Sequence, residues 1–404
     1  MKMRRKVKVI RAGTIITGKG DPPIQDAAIV VEDDRIKSVG PVDRLSASEK
    51  IVEFDATDKT VLPGLIDAHV HLTLGFLDDC SWQKLKDDPE SLCLYAAGNA
   101  QKALVKGVTT LFDCGGVDLI TLKLREAIKT GIIAGPRLRV SGAPITTTSG
   151  HLYFVGLRAD NADEIRKSVR WLVENGVDFI KIMATGGYMT PISNRRRAQY
   201  DEYELKIAVE EAHRLRRRVI VHVNGTEGIR NSVKAGVDVL VHCNWFGIED
   251  GTIEFDESIA RLAAEKKIYA DLGPISEFMK DDTRWNLGCR MRRLGVNIYL
   301  SSDGIGKEAC RFPRDLRLFM ENFDVDPIEV IKMSTLVPAK AMGIDKDLGS
   351  IEPNKIADLI VVDGNPLEDP RALERIRTVF LAGEIVAFEG KLCIREESET
   401  SFFS

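Results

Sequence analysis

Between residues 61 and 304, short apolar runs alternate with stretches of helical periodicity, and this alternation limits the possible folds more than any other feature of the chain. The apolar runs fall at 61–72, 108–112, 137–141, 179–183, 219–223, 239–242, 268–272 and 296–304. Helical patterns lie between them at 92–106, 119–130, 163–175, 201–217, 225–235 and 256–266, and three of them stop at Gly107, Gly176 and Gly236. Strands separated by helices pair in parallel. Eight of them predict an α/β fold of the (β/α)8, or TIM-barrel, type. A doubly wound open sheet is the rival, but it calls for a glycine-rich phosphate turn after its first strand, and none follows residue 72.

The flanks have a different texture. Short strands are expected at 6–10, 27–31, 35–39 and 51–55, with the polar turn Glu32-Asp33-Asp34 between the second and third. After helices running through Met342, strands return at 349–351, 357–363, 378–383 and 384–387. These pieces predict a small β-sandwich domain built from both chain termini. The expected division is 1–60 for its first part, 61–345 for the barrel, 346–396 for its second part and 397–404 for a loose tail.

A chain of 404 residues accommodates a barrel and a smaller domain. No apolar run is long enough to cross a bilayer, and Lys6 and Lys8 interrupt the basic N-terminal stretch, which is unlike a secretory signal. The seven cysteines, at 80, 93, 114, 243, 289, 310 and 393, have no paired spacing and suit reduced thiols. A cytoplasmic protein is expected. A net charge of −4 gives no basic field for nucleic acid. The densest basic cluster, Arg214, Arg216, Arg217 and Arg218, closes a helix and reads as structural.

The chemistry-bearing residues sit on the apolar runs. In a strand, residues two apart share a face, so His69 and His71 project together and can grip one cation. That spacing alone leaves open two unrelated histidines on a half-buried strand. The chain has only six histidines, however, and His222 and His242 also end apolar runs. Lys181 lies on the fourth barrel strand and Asp303 on the eighth. Barrel enzymes gather their chemistry at the C-terminal ends of the strands. Burying six such groups unpaired is expensive, and a bound metal removes that cost.

These residues resemble a known family. Pro63 to His71, with Lys181, His222, His242 and Ser302-Asp303-Gly304, is similar to the amidohydrolase superfamily with a two-metal centre, and the segment from Leu348 to Leu359 matches its return to the β-domain. Lys181-Ile182-Met183-Ala184-Thr185-Gly186-Gly187 and Ser149-Gly150-His151 resemble the imidazolonepropionase-like and Xaa-Pro dipeptidase-like members.

The resemblance implies that His69, His71 and Asp303 hold one divalent ion and His222 and His242 a second, with zinc expected. It also implies that Lys181 reacts with carbon dioxide to give a bridging carbamate. An ammonium cannot ligate a metal, whereas a carbamate offers an oxygen to each ion. A salt-bridging or snorkelling lysine is the plain alternative. The implied reaction is hydrolysis of an amide or related C–N bond in a dipeptide, an N-acyl amino acid or a carbamate-like small molecule. A hydroxide shared by the ions attacks, and Asp303 acts as general base and then general acid.

A histidine at the place of His151 contacts substrate in the dipeptidase-like relatives. Tyr188 either faces the pocket or packs. Asn224 stands where those relatives carry Tyr or His, and an amide there can still donate to an oxyanion. Arg195-Arg196-Arg197 reads as a solvated charge run. The loop 75–89, with Phe76, Leu77 and Trp82, forms either an apolar wall over the pocket or a contact with a neighbouring subunit. The expected partners are a small-molecule substrate and further copies of the chain in a homo-oligomer, with neither nucleic acid nor membrane.

Three other readings compete. A deaminase on this fold places a Glu three residues after the strand-five histidine and lacks the strand-four lysine, whereas Gly225 and Lys181 stand at those positions here. A cyclic amide or lactone hydrolase uses the same centre. A non-enzymatic barrel typically loses ligands, and this chain keeps them.

Overall fold

The computed structural model describes residues 7–44, 53–76, 80–275 and 282–393. Lys6, Ile51, Val52, Leu77, the side chain of Trp82 and the expected tail at 397–404 lie outside the described residues. Nineteen strands are present among them. Eight parallel strands form the barrel in two arcs. The first runs β5 (Leu65–His71), β6 (Val108–Asp113) and β7 (Arg137–Val140). The second runs β10 (Ile180–Met183), β11 (Val219–Gly225), β12 (Val239–Phe246), β13 (Tyr269–Asp271) and β14 (Asn297–Tyr299). Every residue of β5, β6, β10 and β11 is buried. That is why they read as nearly continuous apolar runs, since a parallel sheet is covered on both faces.

The arcs meet at two seams. At one, Asp178 N donates to Val140 O at 2.8 Å. At the other, Ser302 donates through both its backbone N and its Oγ to the buried Asp67 carboxylate, and the short strand β15 (Gly304–Ile305) pairs in parallel with β5. Helices fill the outer layer, and they are capped as the sequence suggests. Asp88, Asn161, Asp201 and Asp256 accept backbone N–H bonds at helix starts. The helix expected over 201–217 ends at Arg214, and Arg217 and Arg218 turn instead to the carbonyls of Val177 and Ala341.

Both chain ends contribute to one eight-stranded sheet. It includes β1 (Val7–Ile15), β2 (Ile24–Glu32), β3 (Arg35–Pro41), β4 (Phe54–Pro63), β16 (Leu359–Val362), β17 (Ile376–Leu381), β18 (Glu384–Phe388) and β19 (Lys391–Leu392), in the order β19-β18-β17-β16-β4-β1-β2-β3. The strand expected at 349–351 does not form. Ile10, Ile29, Val31, Val61, Leu359, Val361 and Phe380 give this sheet a core of its own. The run at 61–72, read from sequence as one strand, is shared between two sheets. Val61 to Pro63 pair antiparallel with β16, and the barrel strand begins at Leu65. The chain crosses at Gly64, where an added Cβ would sit 2.0 Å from Thr109 Oγ1.

Candidate metal centre

Five of the six histidines converge at the C-terminal ends of the barrel strands. His69 and His71 close β5, His222 lies on β11 and His242 on β12. Their rings form an unbroken series with His151, which sits in the loop beyond β8 (Ile145–Thr146). Centroids are 5.1 Å apart for His71 and His69, 5.4 Å for His69 and His242, 4.6 Å for His242 and His222, and 4.4 Å for His222 and His151. The sixth, His213, pairs with Asp238 on the outside of the barrel.

Lys181 enters the same space from β10. It is fully buried, and its Nζ lies 3.2 Å from His69 Nε2. Asp303 Oδ1 is 3.3 Å from His69 Nε2 and 3.5 Å from His71 Nε2. The candidate ligand atoms of His69, His71 and Asp303 all lie within 4.8 Å of one another. The backbone is strained here, since His242 and Asp303 have φ of 69° and 48°, left-handed values that non-glycine residues adopt at a cost of roughly 1–3 kcal/mol.

The electrostatics favour neutral nitrogen. Burial, helped by the neighbouring Lys181, lowers His71 to about 4 and takes His69 well below the ordinary histidine range. Burial does the same to His222 and His242 and lowers Lys181. Two of the second ring nitrogens are tied down. His71 Nδ1 donates to Gly115 O at 2.6 Å and His242 Nδ1 to Gly273 O at 2.8 Å, which turns each Nε2 inward as a lone-pair donor. Buried neutral imidazoles around one partly exposed carboxylate are a donor set for a divalent cation such as zinc.

The sequence model of the amidohydrolase family matches residues 60–386. The chain belongs to the amidohydrolase family. This amidohydrolase is 29% identical to ochratoxinase from Aspergillus niger, over 93% of this chain and 85% of the relative. The crystal structure of A. niger ochratoxinase superposes with a TM-score of 0.82, covering 96% of this chain and 97% of that one, at 26% identity. A Xaa-Pro dipeptidase with methionine bound in its active site gives 0.80 at 27% identity, with 94% and 99% covered. A 5-methylthioadenosine/S-adenosylhomocysteine deaminase from Symbiobacterium thermophilum is 24% identical over 88% of this chain and 85% of its own length.

The residues singled out for substrate are placed unequally in this amidohydrolase. His151 is buried and its ring packs on Gly187, where a Cβ would lie 2.5 Å from His151 Nε2. Burial lowers its pKa to about 3, and its Nδ1 has no hydrogen-bond partner among the described residues. Asn224 is also buried. Its amide nitrogen lies 2.9 Å from His222 Nε2 and its oxygen accepts from Asn244 at 2.6 Å, so it props the ring rather than facing open space. Tyr188 is exposed at the rim, with the Arg195 guanidinium 4.2 Å above its ring. The solvated-run reading of Arg195-Arg196-Arg197 fails for Arg196, which is buried and donates to Asp250 and to Gly247 O.

Sequence reasoning missed three buried carboxylates. Asp67 accepts from Ser302, Asp113 accepts from Leu72 N and Thr121, and Asp271 accepts from Ser301 and Gly273 N. Burial pushes Asp67 up to about 8 and the other two to about 6. Each ends or interrupts an apolar run, which was the signal used for the histidines, and it went unused for the acids.

Proposed function

We propose that this chain is a two-metal hydrolase that cleaves an amide or related C–N bond in a small molecule. The convergence of four neutral histidines, one buried lysine and one partly exposed aspartate at a single mouth of the barrel carries this reading. His69, His71 and Asp303 hold one divalent ion. His222 and His242 hold the other, and among the described residues no further His, Cys, Asp or Glu completes that pair. Lys181 supplies the missing donor. Burial lowers the pKa of its amine and so favours the unprotonated form more than water does; in that form the nitrogen lone pair can bond to carbon dioxide, lose one proton and become an anionic carbamate with two oxygens. When bound, the ions, zinc by the chemistry of the donors, supply Lewis acidity and a water acidic enough to attack near neutral pH.

The chain's own residues do the rest. Asp303 is 19% exposed, the one member of the set that reaches solvent, and it takes a proton from the attacking water and returns it to the leaving nitrogen. His151 is withdrawn from water and neutral, and it offers a hydrogen bond to the bound substrate beside His222. Tyr188 with Arg195 lines the rim. Asn224 acts through His222.

Similarity to ochratoxinase and to a Xaa-Pro dipeptidase supports dipeptides, N-acyl amino acids and carbamate-like compounds as the substrate class. Likeness to a deaminase keeps that reading as the alternative, but the residue three after His222 is Gly225 and Lys181 is present. We further read the terminal sheet as a small β-sandwich, with the barrel over 61–345 flanked by 1–60 and 346–396. The protein is taken as cytoplasmic, free in water rather than membrane-bound or bound to nucleic acid, and a homo-oligomer. Among the described residues no helix is long and apolar enough to cross a membrane, and six cysteines are free thiols.

The test is a screen of the zinc-loaded protein against dipeptides, N-acyl amino acids, lactones and aminopurines. Cleavage of an acyl–nitrogen bond is expected. Ammonia release from aminopurines alone would support the deaminase, and inertness towards every class would overturn both.

A further inference from the structure

We infer that the turn Asp271–Gly273, at the end of β13, is a positioning device shared by both metal positions, orienting His69 for one ion and His242 for the other. This rests on the two-metal reading above. The turn reaches the two rings by different atoms. Asp271 Oδ2 lies 3.3 Å from His69 Nδ1, a buried nitrogen with no aligned hydrogen-bond partner among the described residues. Two residues on, Gly273 O accepts from His242 Nδ1 at 2.8 Å. In both cases the atom reached is Nδ1, and the other nitrogen of His69, Nε2, faces Lys181 Nζ and Asp303 Oδ1, so the turn sets which nitrogen of each ring is left for a cation.

The turn is itself held rigid. Ser301 Oγ lies within hydrogen-bond distance of both Asp271 oxygens, at 2.7 and 2.8 Å, and Gly273 N donates to Asp271 Oδ1 at 2.9 Å. The carboxylate therefore closes a ring with the backbone whose carbonyl holds His242. There is no slack, since a Cβ on Gly273 would lie 2.1 Å from Ser301 Oγ. Asp271 and Ser301 are both fully buried, so neither has a role towards solvent. An oxygen moved at Asp271 moves Gly273 with it, and the two rings shift together. Asp271 and Ser301 are thus positioning residues, and the expected signature is a change at two metal positions from one substitution.

The experiment titrates the full-length apo-protein with zinc against a chromogenic chelator and follows cobalt uptake by its visible absorption. Asp271→Ala is expected to weaken both binding steps, each by about 10- to 100-fold, as loss of a group orienting a metal ligand does. Ser301→Ala is expected to weaken both steps less, with an altered cobalt spectrum. Ser232→Ala, a buried hydroxyl that bonds to Gly228 O within the outer helix 226–235, reports what loss of a buried hydroxyl away from the rings does. Weakening of one step only, or of neither in a folded Asp271→Ala protein, overturns the inference. So does weakening in Ser232→Ala that matches Ser301→Ala. If Asp271→Ala does not fold, Ser301→Ala decides by the same outcomes. A wild-type chain that takes up fewer than two ions overturns the two-metal reading itself and this inference with it, a failure visible before any variant is made.

Discussion

At the scale of single residues, burial works against the charged forms of the groups gathered at the barrel mouth. His71 is lowered to about 4 and Lys181 is lowered by the same burial, which favours lone pairs over protons where a cation would sit. Lys181→Ala removes the group proposed to bridge the two metal positions. It is expected to lower affinity for the second ion by at least about tenfold, with partial recovery on adding a short carboxylate such as acetate or propionate; competition titration reads both. Normal binding of two ions without added acid would count against the carbamate. Asp303→Asn keeps one ligand oxygen but cannot accept a proton, so kcat should fall by about 10²- to 10⁴-fold while metal is retained. Full turnover in that variant would remove the assigned proton carrier. The convergence of these side chains was legible at this scale because each ends or interrupts an apolar run. Asp271 was not, since its meaning lies in Ser301, thirty residues away just beyond the neighbouring strand β14. Arg196 misled for the same reason, its partner Asp250 being 54 residues distant.

At the scale of elements, the alternation of strand and helix was legible because parallel strands covered on both faces announce themselves as apolar runs. The change of sheet within 61–72 was not, because an apolar run looks the same in either sheet. Gly64 marks it only through its closeness to Thr109. Gly64→Ala is therefore expected to destabilise the fold by about 1–3 kcal/mol through overpacking, read from denaturant unfolding; an unchanged midpoint would show that Thr109 can move aside. On the outer layer, a hydrogen bond to Asp238 raises the pKa of His213. A histidine whose folded pKa is raised stabilises fully below its unfolded value, near 6.5, and loses that contribution as pH climbs through the folded one. His213 is 44% exposed, so screening limits the effect to about 1 kcal/mol or less. The thermal midpoint of His213→Gln should trail the wild type more at about pH 5 than at about pH 9. A gap that is constant or widens towards alkaline pH would contradict this sign.

At the scale of the molecule, the barrel and the terminal sheet are joined by more than the chain that passes between them. Arg137, at the start of β7, donates through two nitrogens to the Asp358 carboxylate, and Asp358 O accepts from the crossing Gly64 N. The same carboxylate accepts from Ala382 N in the turn after β17. That both chain ends contribute strands to one sheet was legible from their short strands. That β4 lies parallel to β1 and antiparallel to β16, so that the two ends meet at the centre of the sheet, was not, because register between distant segments leaves no local trace.

The central claim is that this framework delivers donors from four barrel strands, and from Asp303 just beyond β14, to two adjacent cations. Anomalous diffraction at the zinc edge from crystals of the zinc-loaded protein tests it most directly. The account predicts two peaks per chain, one among His69, His71 and Asp303 and one at His222 and His242, with added density on Lys181 Nζ reaching both. A single peak, peaks elsewhere, or an unmodified Lys181 beside two ions would contradict it.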